Sequence, residues 1–224
     1  VDIQNLFSQI EQNIDDVLFQ ESTLGKDLWR TLLEQHPADI AMLLARLDVQ
    51  HQQHLVQQLP PRFALEVFER LDHPQQAAIL VTLDQEHAAH ILQHMRADKI
   101  TDLFADHLAD DDLKKYLKLL QKKQRHRVIS LLNFDRKSAG GIMNSEIFTL
   151  QDTMSVRQGI KLLQGVQPQR KQLQQRVFIT DQENRLLGYI NLDELVVNKP
   201  DKLLKDMLRE SEIVFDANED QERV

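Results

Sequence analysis

The chain has 224 residues, 42% apolar and 28% charged, which is ordinary for a globular protein of one or two domains. With 35 acidic against 27 basic residues its formal charge is −8, which argues against nucleic acid as a partner and favours cations or basic surfaces. There is no cysteine, so disulfides, thiolate zinc sites and cysteine nucleophiles are excluded, and no apolar run approaches the roughly 18 residues that span a bilayer.

Leu6, Ile10, Ile14, Val17 and Leu18 recur at helical spacing, and Trp29, Leu32 and Leu33 mark another helix. A 12-residue repeat follows. Leu43-Leu44-x-x-Leu47 recurs as Leu55-Val56-x-x-Leu59, Val67-Phe68-x-x-Leu71, Ile79-Leu80-x-x-Leu83 and Ile91-Leu92-x-x-Met95, and decays at Leu103-Phe104-x-x-His107. Asp48, Pro60-Pro61, Asp72-His73-Pro74 and Asp84 are turn signals between units. About 12 residues hold two helical turns and a corner. One such helix cannot bury its own face, so residues 36–108 are expected to form a superhelix of short helices. Residues 111–132 predict one longer helix, with Leu113, Leu117, Leu120, Val128 and Leu131 in register.

Glycine divides the sequence. Gly25 alone precedes Gly140, and beyond Gly141 the texture is β-branched and aromatic. The expected elements are a strand over 146–150, a helix after a cap at Asp152-Thr153, and strands over 176–180 and 187–190 joined by the turn 181–185. Short helices over 192–197 and 203–208 and a strand over 213–215 follow. Helix is therefore expected up to about residue 134 and strands only after Glu146. Val1 stands where an initiator Met would, which suggests a piece of a longer protein.

Three groups of residues carry a resemblance. The order strand–helix–strand–strand–helix, with Gly188 opening the hairpin's second strand and an acid in the next helix, is that of a CBS repeat. His36-Pro37-Ala38-Asp39-Ile40-Ala41 opens the leucine-rich helices. Ser138-Ala139-Gly140-Gly141-Ile142-Met143 precedes the CBS part. Together these resemble the cytosolic part of the MgtE family of magnesium transporters and channels, over about residues 36–224. The superhelix is also similar to repeats of the flagellar motor switch protein, though nothing of the CBS half is.

The resemblance implies a mainly α chain with a smaller α/β part. Residues 1–134 would be a helical superhelix of the MgtE N type, 135–145 a linker, and 146–224 a first CBS repeat with the start of a second. It implies a non-enzymatic, magnesium-sensing region on the cytoplasmic side of a multi-pass membrane protein. The partners would be the parent's own transmembrane pore and a second copy in a homodimer, with Mg²⁺ as the bound ion. By position the resemblance assigns Glu66, Asp98 and Asp102 of the superhelix, and Asp220 and Glu222 of the CBS part, as metal-binding acids. Independently of it, Asp98 and Asp102 lie i, i+4 on one helical face, where unpaired carboxylates repel; from spacing alone the pair reads as a solvated acidic face, and it is the resemblance that turns it into a site for a hard cation. The alternatives are a protein-interaction scaffold and an adenylate-sensing CBS module.

Other constellations weigh less. His87, His90 and His94 share a helix face, as do His51 and His54, but there is no H-E-x-x-H pattern and the face reads as the polar outside of the superhelix. The run Lys114, Lys115, Lys118, Lys122, Lys123, Arg125, Arg127 has only Tyr116 interleaved and reads as a solvated face. CBS repeats that bind adenosine phosphates use a Gly-apolar-x-Ser/Thr-x-x-Asp element. Here Asn191 replaces the hydroxyl residue and Glu194 the Asp, which predicts no tight nucleotide binding. No nucleophile elbow or Gly-rich phosphate loop is present.

Overall fold

The computed structural model describes residues 3–145, 147–166, 175–210 and 214–224. The chain is mainly helical and divides into two compact units, residues 1–136 with 140–143, and residues 137–139 with 144–224.

In the first unit α1 (Ile3–Gln12), α2 (Ile14–Phe19) and α3 (Thr23–Leu33) bury Leu6, Phe7, Ile10, Val17, Leu18, Leu28, Trp29 and Leu32. Then come α4 (Pro37–Leu44), α5 (Val49–Gln58), α6 (Pro61–Phe68), α7 (His73–Thr82), α8 (Gln85–His94), α9 (Ala97–His107), α10 (Asp110–Leu119) and α11 (Lys122–Leu132). Among the described residues this unit has no strand. The helices pack with the next but one. One row runs α4, α6, α8, α10 and the other α5, α7, α9, α11. The 12-residue sequence repeat is thus a 24-residue structural repeat, a helix pair.

The corners explain the period. At Leu59, Leu83, Met95, Leu108 and Leu120 the chain leaves a helix in an extended conformation with ψ between 142° and 154°. Of these, Leu59, Leu83, Met95 and Leu120 are buried, so the apolar residue that closes each of these four units is also its anchor in the core. Asp48, Asp72 and Asp84 come next in line as N-caps, their carboxylates accepting first-turn N–H groups, so these turn signals open helices. The expected single helix over 111–132 is two. Leu120 makes the same corner without an Asp or Pro beside it, and the repeat continues past the point where its leucine pattern decays.

Glutamines satisfy helix ends inside the stack. Gln52 Nε2 donates to the carbonyls of Leu44 and Leu47 at 2.9 Å each, and Gln76 Nε2 to Phe68 at 2.8 Å. These positions are one helix pair apart. The next equivalent, Ile100, cannot donate, and Gln124 from α11 supplies Leu92 and Met95 instead, both at 2.9 Å. Such bonds are needed because the last carbonyls of a helix have no partner within it.

Tyr116 of α10 is fully buried, and its hydroxyl donates to the Leu80 carbonyl of α7 at 2.9 Å. Burial raises the phenol's pKa, with Asp112 adding to it, so the hydroxyl stays a donor. Tyr116→Phe keeps the shape and removes one buried hydrogen bond. It should lower the unfolding free energy by about 1–2 kcal/mol, measured by urea denaturation; an unchanged midpoint would mean that this bond adds nothing.

The second unit holds β1 (Thr149–Gln151), α13 (Val156–Val166), β2 (Arg176–Thr180), β3 (Leu186–Asn191) and α14 (Leu192–Val197). The short helix α12 (Ala139–Ile142) lies at the boundary, inside the segment expected to be linker. β1 pairs parallel with β2, and β2 antiparallel with β3, in the order β1-β2-β3. Leu150, Val156, Val177, Ile179, Ile190, Leu195 and Leu204 form its core. The cap of α13 is Ser155, not Asp152-Thr153. Its hydroxyl accepts from the Gln158 N–H, and Gln158 Oε1 accepts from the Ser155 N–H, a reciprocal box. Gly188 has φ +156°, and a Cβ there would come within 2.3 Å of the Arg209 carbonyl, whose residue pairs with Tyr189 in both directions. Of the strand expected over 146–150, Ile147 and Phe148 are not in a strand, Glu146 lies outside the described residues and the strand begins at Thr149; 204–207 is a 3₁₀ turn. Of the strand expected at 213–215, Val214 and Phe215 are not in a strand and Ile213 lies outside the described residues.

Candidate functional site

Asp98 sits in the first turn of α9, where a carboxylate favours the helix dipole, and Asp102 lies one turn on. Both are half-buried, with side-chain exposures of 19% and 28%. Neither is unpaired. Arg96, the residue before α9, holds Asp98 in a fork, with Nε to Oδ1 at 3.0 Å and Nη2 to Oδ2 at 2.6 Å. Arg136 reaches from beyond α11 and places Nη1 3.1 Å from Asp102 Oδ1. The like-charge repulsion expected of two free carboxylates is therefore offset by two guanidinium groups.

The other predicted acids stand elsewhere. Glu66 on α6 is half-buried, with Arg62 Nε 4.0 Å from its Oε1. In the second unit Asp220 caps the 3₁₀ turn Gln221–Arg223, accepting the Glu222 N–H at 2.9 Å, and Glu222 is exposed. The Asp220 segment is tied to the strand-like residues before α12: the Ala139 N–H donates to Glu219 and the Gln221 N–H to Lys137, both at 2.7 Å. Among the described residues no three His, Cys, Asp or Glu side chains converge as a metal cage. Of the five predicted acids the structure brings together Asp98 and Asp102, one turn apart on α9, as the spacing predicts.

The histidines are engaged in local contacts. His87 Nδ1 lies 2.7 Å from the Asp84 carboxylate, and the rings of His90 and His94 are 4.4 Å apart. Burial, then the charges of His94 and His87, lowers the pKa of His90. His51 sits between Asp48 at 2.5 Å and Asp15 at 3.2 Å. Burial pulls its pKa down, but the two carboxylates outweigh this and raise it. The basic run is exposed at Lys114, Lys115, Lys118, Lys122 and Lys123, while Tyr116, its one aromatic, is buried and offers no stacking face.

The nucleotide element is also committed internally. Asn191 and Glu194 form a capping box on α14, Glu194 Oε2 accepting the Asn191 N–H at 3.1 Å. Arg209 Nη2 lies 2.6 Å from Glu194 Oε1, and this bond, with that from Asn191, holds the Glu194 carboxyl below its ordinary range. Arg176 stacks on the Tyr189 ring at 4.6 Å.

The functional partners missed in the sequence are Arg96 and Arg136. A basic residue two places before Asp98 was a usable signal; Arg136, 34 residues from Asp102, gave none.

Residues 35–137 match the MgtE intracellular N domain family. The magnesium transporter MgtE of Thermus thermophilus is 26% identical over 198 residues, 87% of this chain, and the chain spans 44% of that relative's length. A crystal structure of the soluble part of a magnesium transporter superposes with a TM-score of 0.77 at 26% identity, covering 99% of this chain and 84% of the other. The cytosolic domain of the Mg²⁺ channel MgtE in complex with ATP gives a TM-score of 0.81 at 25% identity, covering 93% and 84%. Residues 35–137 thus resemble the MgtE intracellular N domain, and over most of its length the chain is similar to the cytosolic part of MgtE magnesium transporters.

Proposed function

We propose that this chain is the cytosolic magnesium-sensing region of an MgtE-type transporter, without catalytic activity of its own. Two half-buried carboxylates one turn apart on α9, inside the matched N domain, carry the reading. Their donor chemistry fits Mg²⁺, which takes hard oxygens and keeps several waters, so two carboxylates and no closed cage suffice. Ions held by Asp98 and Asp102 and by Glu66 elsewhere on the helical unit, together with Asp220 and Glu222 on the CBS unit, would bridge the two and favour a compact state. Compaction in a homodimeric parent at the cytoplasmic face of the membrane would close the pore, giving feedback on cytosolic Mg²⁺. Only the difference in affinity between compact and open forms drives this. Small-angle scattering with and without millimolar Mg²⁺ tests it. Compaction on adding Mg²⁺ is expected; a profile that ignores Mg²⁺ would favour a protein-interaction scaffold.

The ATP-bound relative favours a second reading, adenylate sensing by the CBS unit. Against it, Glu194 is already held by Arg209 and by its own helix cap, and Asn191 replaces the hydroxyl residue. Calorimetry on this chain should therefore show no tight ATP binding. A dissociation constant in the low micromolar range would show that the two substitutions leave the site intact.

A further inference from the structure

Arg136 occupies a place that the backbone prepares for it. The second glycine of Ser138-Ala139-Gly140-Gly141 packs against the chain just before it: a Cβ on Gly141 would lie 2.3 Å from the Asp135 carbonyl oxygen and 2.9 Å from the Arg136 Cα. No side chain fits there, so glycine lets α12 close onto residues 135–136. The position of Arg136 is thereby fixed by backbone packing as well as by its own charge. From it the guanidinium reaches 34 residues back to Asp102 on α9, at 3.1 Å. Arg96 does the same for Asp98 from the residue before that helix.

We propose that Arg136, seated by Gly141, is a built-in competitor cation. It holds the Asp102 carboxylate when divalent ion is scarce, and so sets the Mg²⁺ concentration at which that carboxylate is captured. This rests on the magnesium-sensing reading above. A guanidinium and a hydrated Mg²⁺ both neutralise the carboxylate and use its oxygen lone pairs, so each weakens the other's hold. Both carboxylates are half-buried, so solvent screens the competition less than on an open surface. The two arginines differ in consequence. Arg96 adjoins its own helix, so its release moves little. Arg136 lies 34 residues from Asp102 and outside α9, so its pairing ties a distant segment of the first unit to that helix.

The test is Mn²⁺ uptake by the 224-residue chain, followed by electron paramagnetic resonance, with Mg²⁺ as the displacing ion. Exposed and part-exposed ion pairs correspond to about a two- to fivefold change in an equilibrium constant. Arg136→Gln should lower the half-saturating Mg²⁺ concentration by about that factor, with unchanged circular dichroism. The shift should shrink in high salt and vanish in an Asp102→Asn background. Arg136→Lys, which keeps the charge but loses the planar fork, should fall between. A wild-type chain that takes up ion while Arg136→Gln leaves the midpoint unchanged or raises it overturns the competitor role alone. So does a shift that persists without Asp102. A wild-type chain that takes up no ion overturns the sensing reading and this inference with it.

Discussion

Phe104→Ala is expected to lower the stability of the helical unit by about 3–5 kcal/mol, the range for deleting a fully buried aromatic ring. Phe104 on α9 has no exposed surface, and its ring lies 6.3 Å from that of Tyr116. Globular domains are stable by only about 5–15 kcal/mol, so the loss is a large share of the total. The architecture makes it hard to absorb. α9 is an inner member of its row, packed on α7 and α11, and a cavity there interrupts the stack instead of trimming its end. Val81→Ala, at an exposed position of α7, is the control and should stay within about 0.5 kcal/mol. Urea denaturation followed by circular dichroism measures both. A loss below about 1 kcal/mol for Phe104→Ala would show that the stack collapses around the missing ring and that its layers are less rigid than their burial implies.

The same packing shows why some of the fold was legible and some was not. The 12-residue repeat stands out because an apolar residue closes each unit, and at Leu47, Leu71 and Leu83 an N-capping Asp follows it. At Leu120 the corner is the same but the next residue is Gln121, so the punctuation is missing and two helices read as one. The 24-residue period is written in Gln52 and Gln76, polar residues that look like surface until their amide groups are seen closing the preceding helices. In the second unit the alternating strands and the 181–185 turn were plain, where Asp181 Oδ1 accepts the N–H groups of Glu183 and Arg185. For the candidate site, the spacing of Asp98 and Asp102 was enough to put them on one face. Their charge state was not readable, because the cation that answers Asp102 comes from a chain segment brought near only by the tertiary fold. The reading of a bare, self-repelling pair gives way to a pair held by arginines, and this changes what a mutation there should do.

Asp98→Asn with Asp102→Asn should abolish most of the Mg²⁺-dependent change in shape. Two carboxylates about 5–6 Å apart near a surface repel by roughly 3 kcal/mol at an effective dielectric of 20, less where solvent screens them. Arg96 and Arg136 offset part of that repulsion. The double substitution removes the ligand charge and the repulsion together, and leaves both guanidinium groups in place to repel a divalent ion. Affinity at this site should therefore fall further than the loss of two ligands alone would give. Stability should move less. Asp98 loses a favourable place in the first turn of α9, worth about 0.3–1 kcal/mol, and each arginine loses an ion pair of similar size. Limited proteolysis near residues 136–144 and small-angle scattering, with and without millimolar Mg²⁺, read the response on a chain carrying both CBS repeats. Because the ion keeps several waters, the midpoint should lie in the millimolar range of cellular Mg²⁺ rather than the nanomolar. Several weak sites acting on one equilibrium still give a steep response, since each adds its own difference in affinity. If the double mutant compacts as the wild type does, Glu66 or Asp220 carries the switch and α9 is not the sensor.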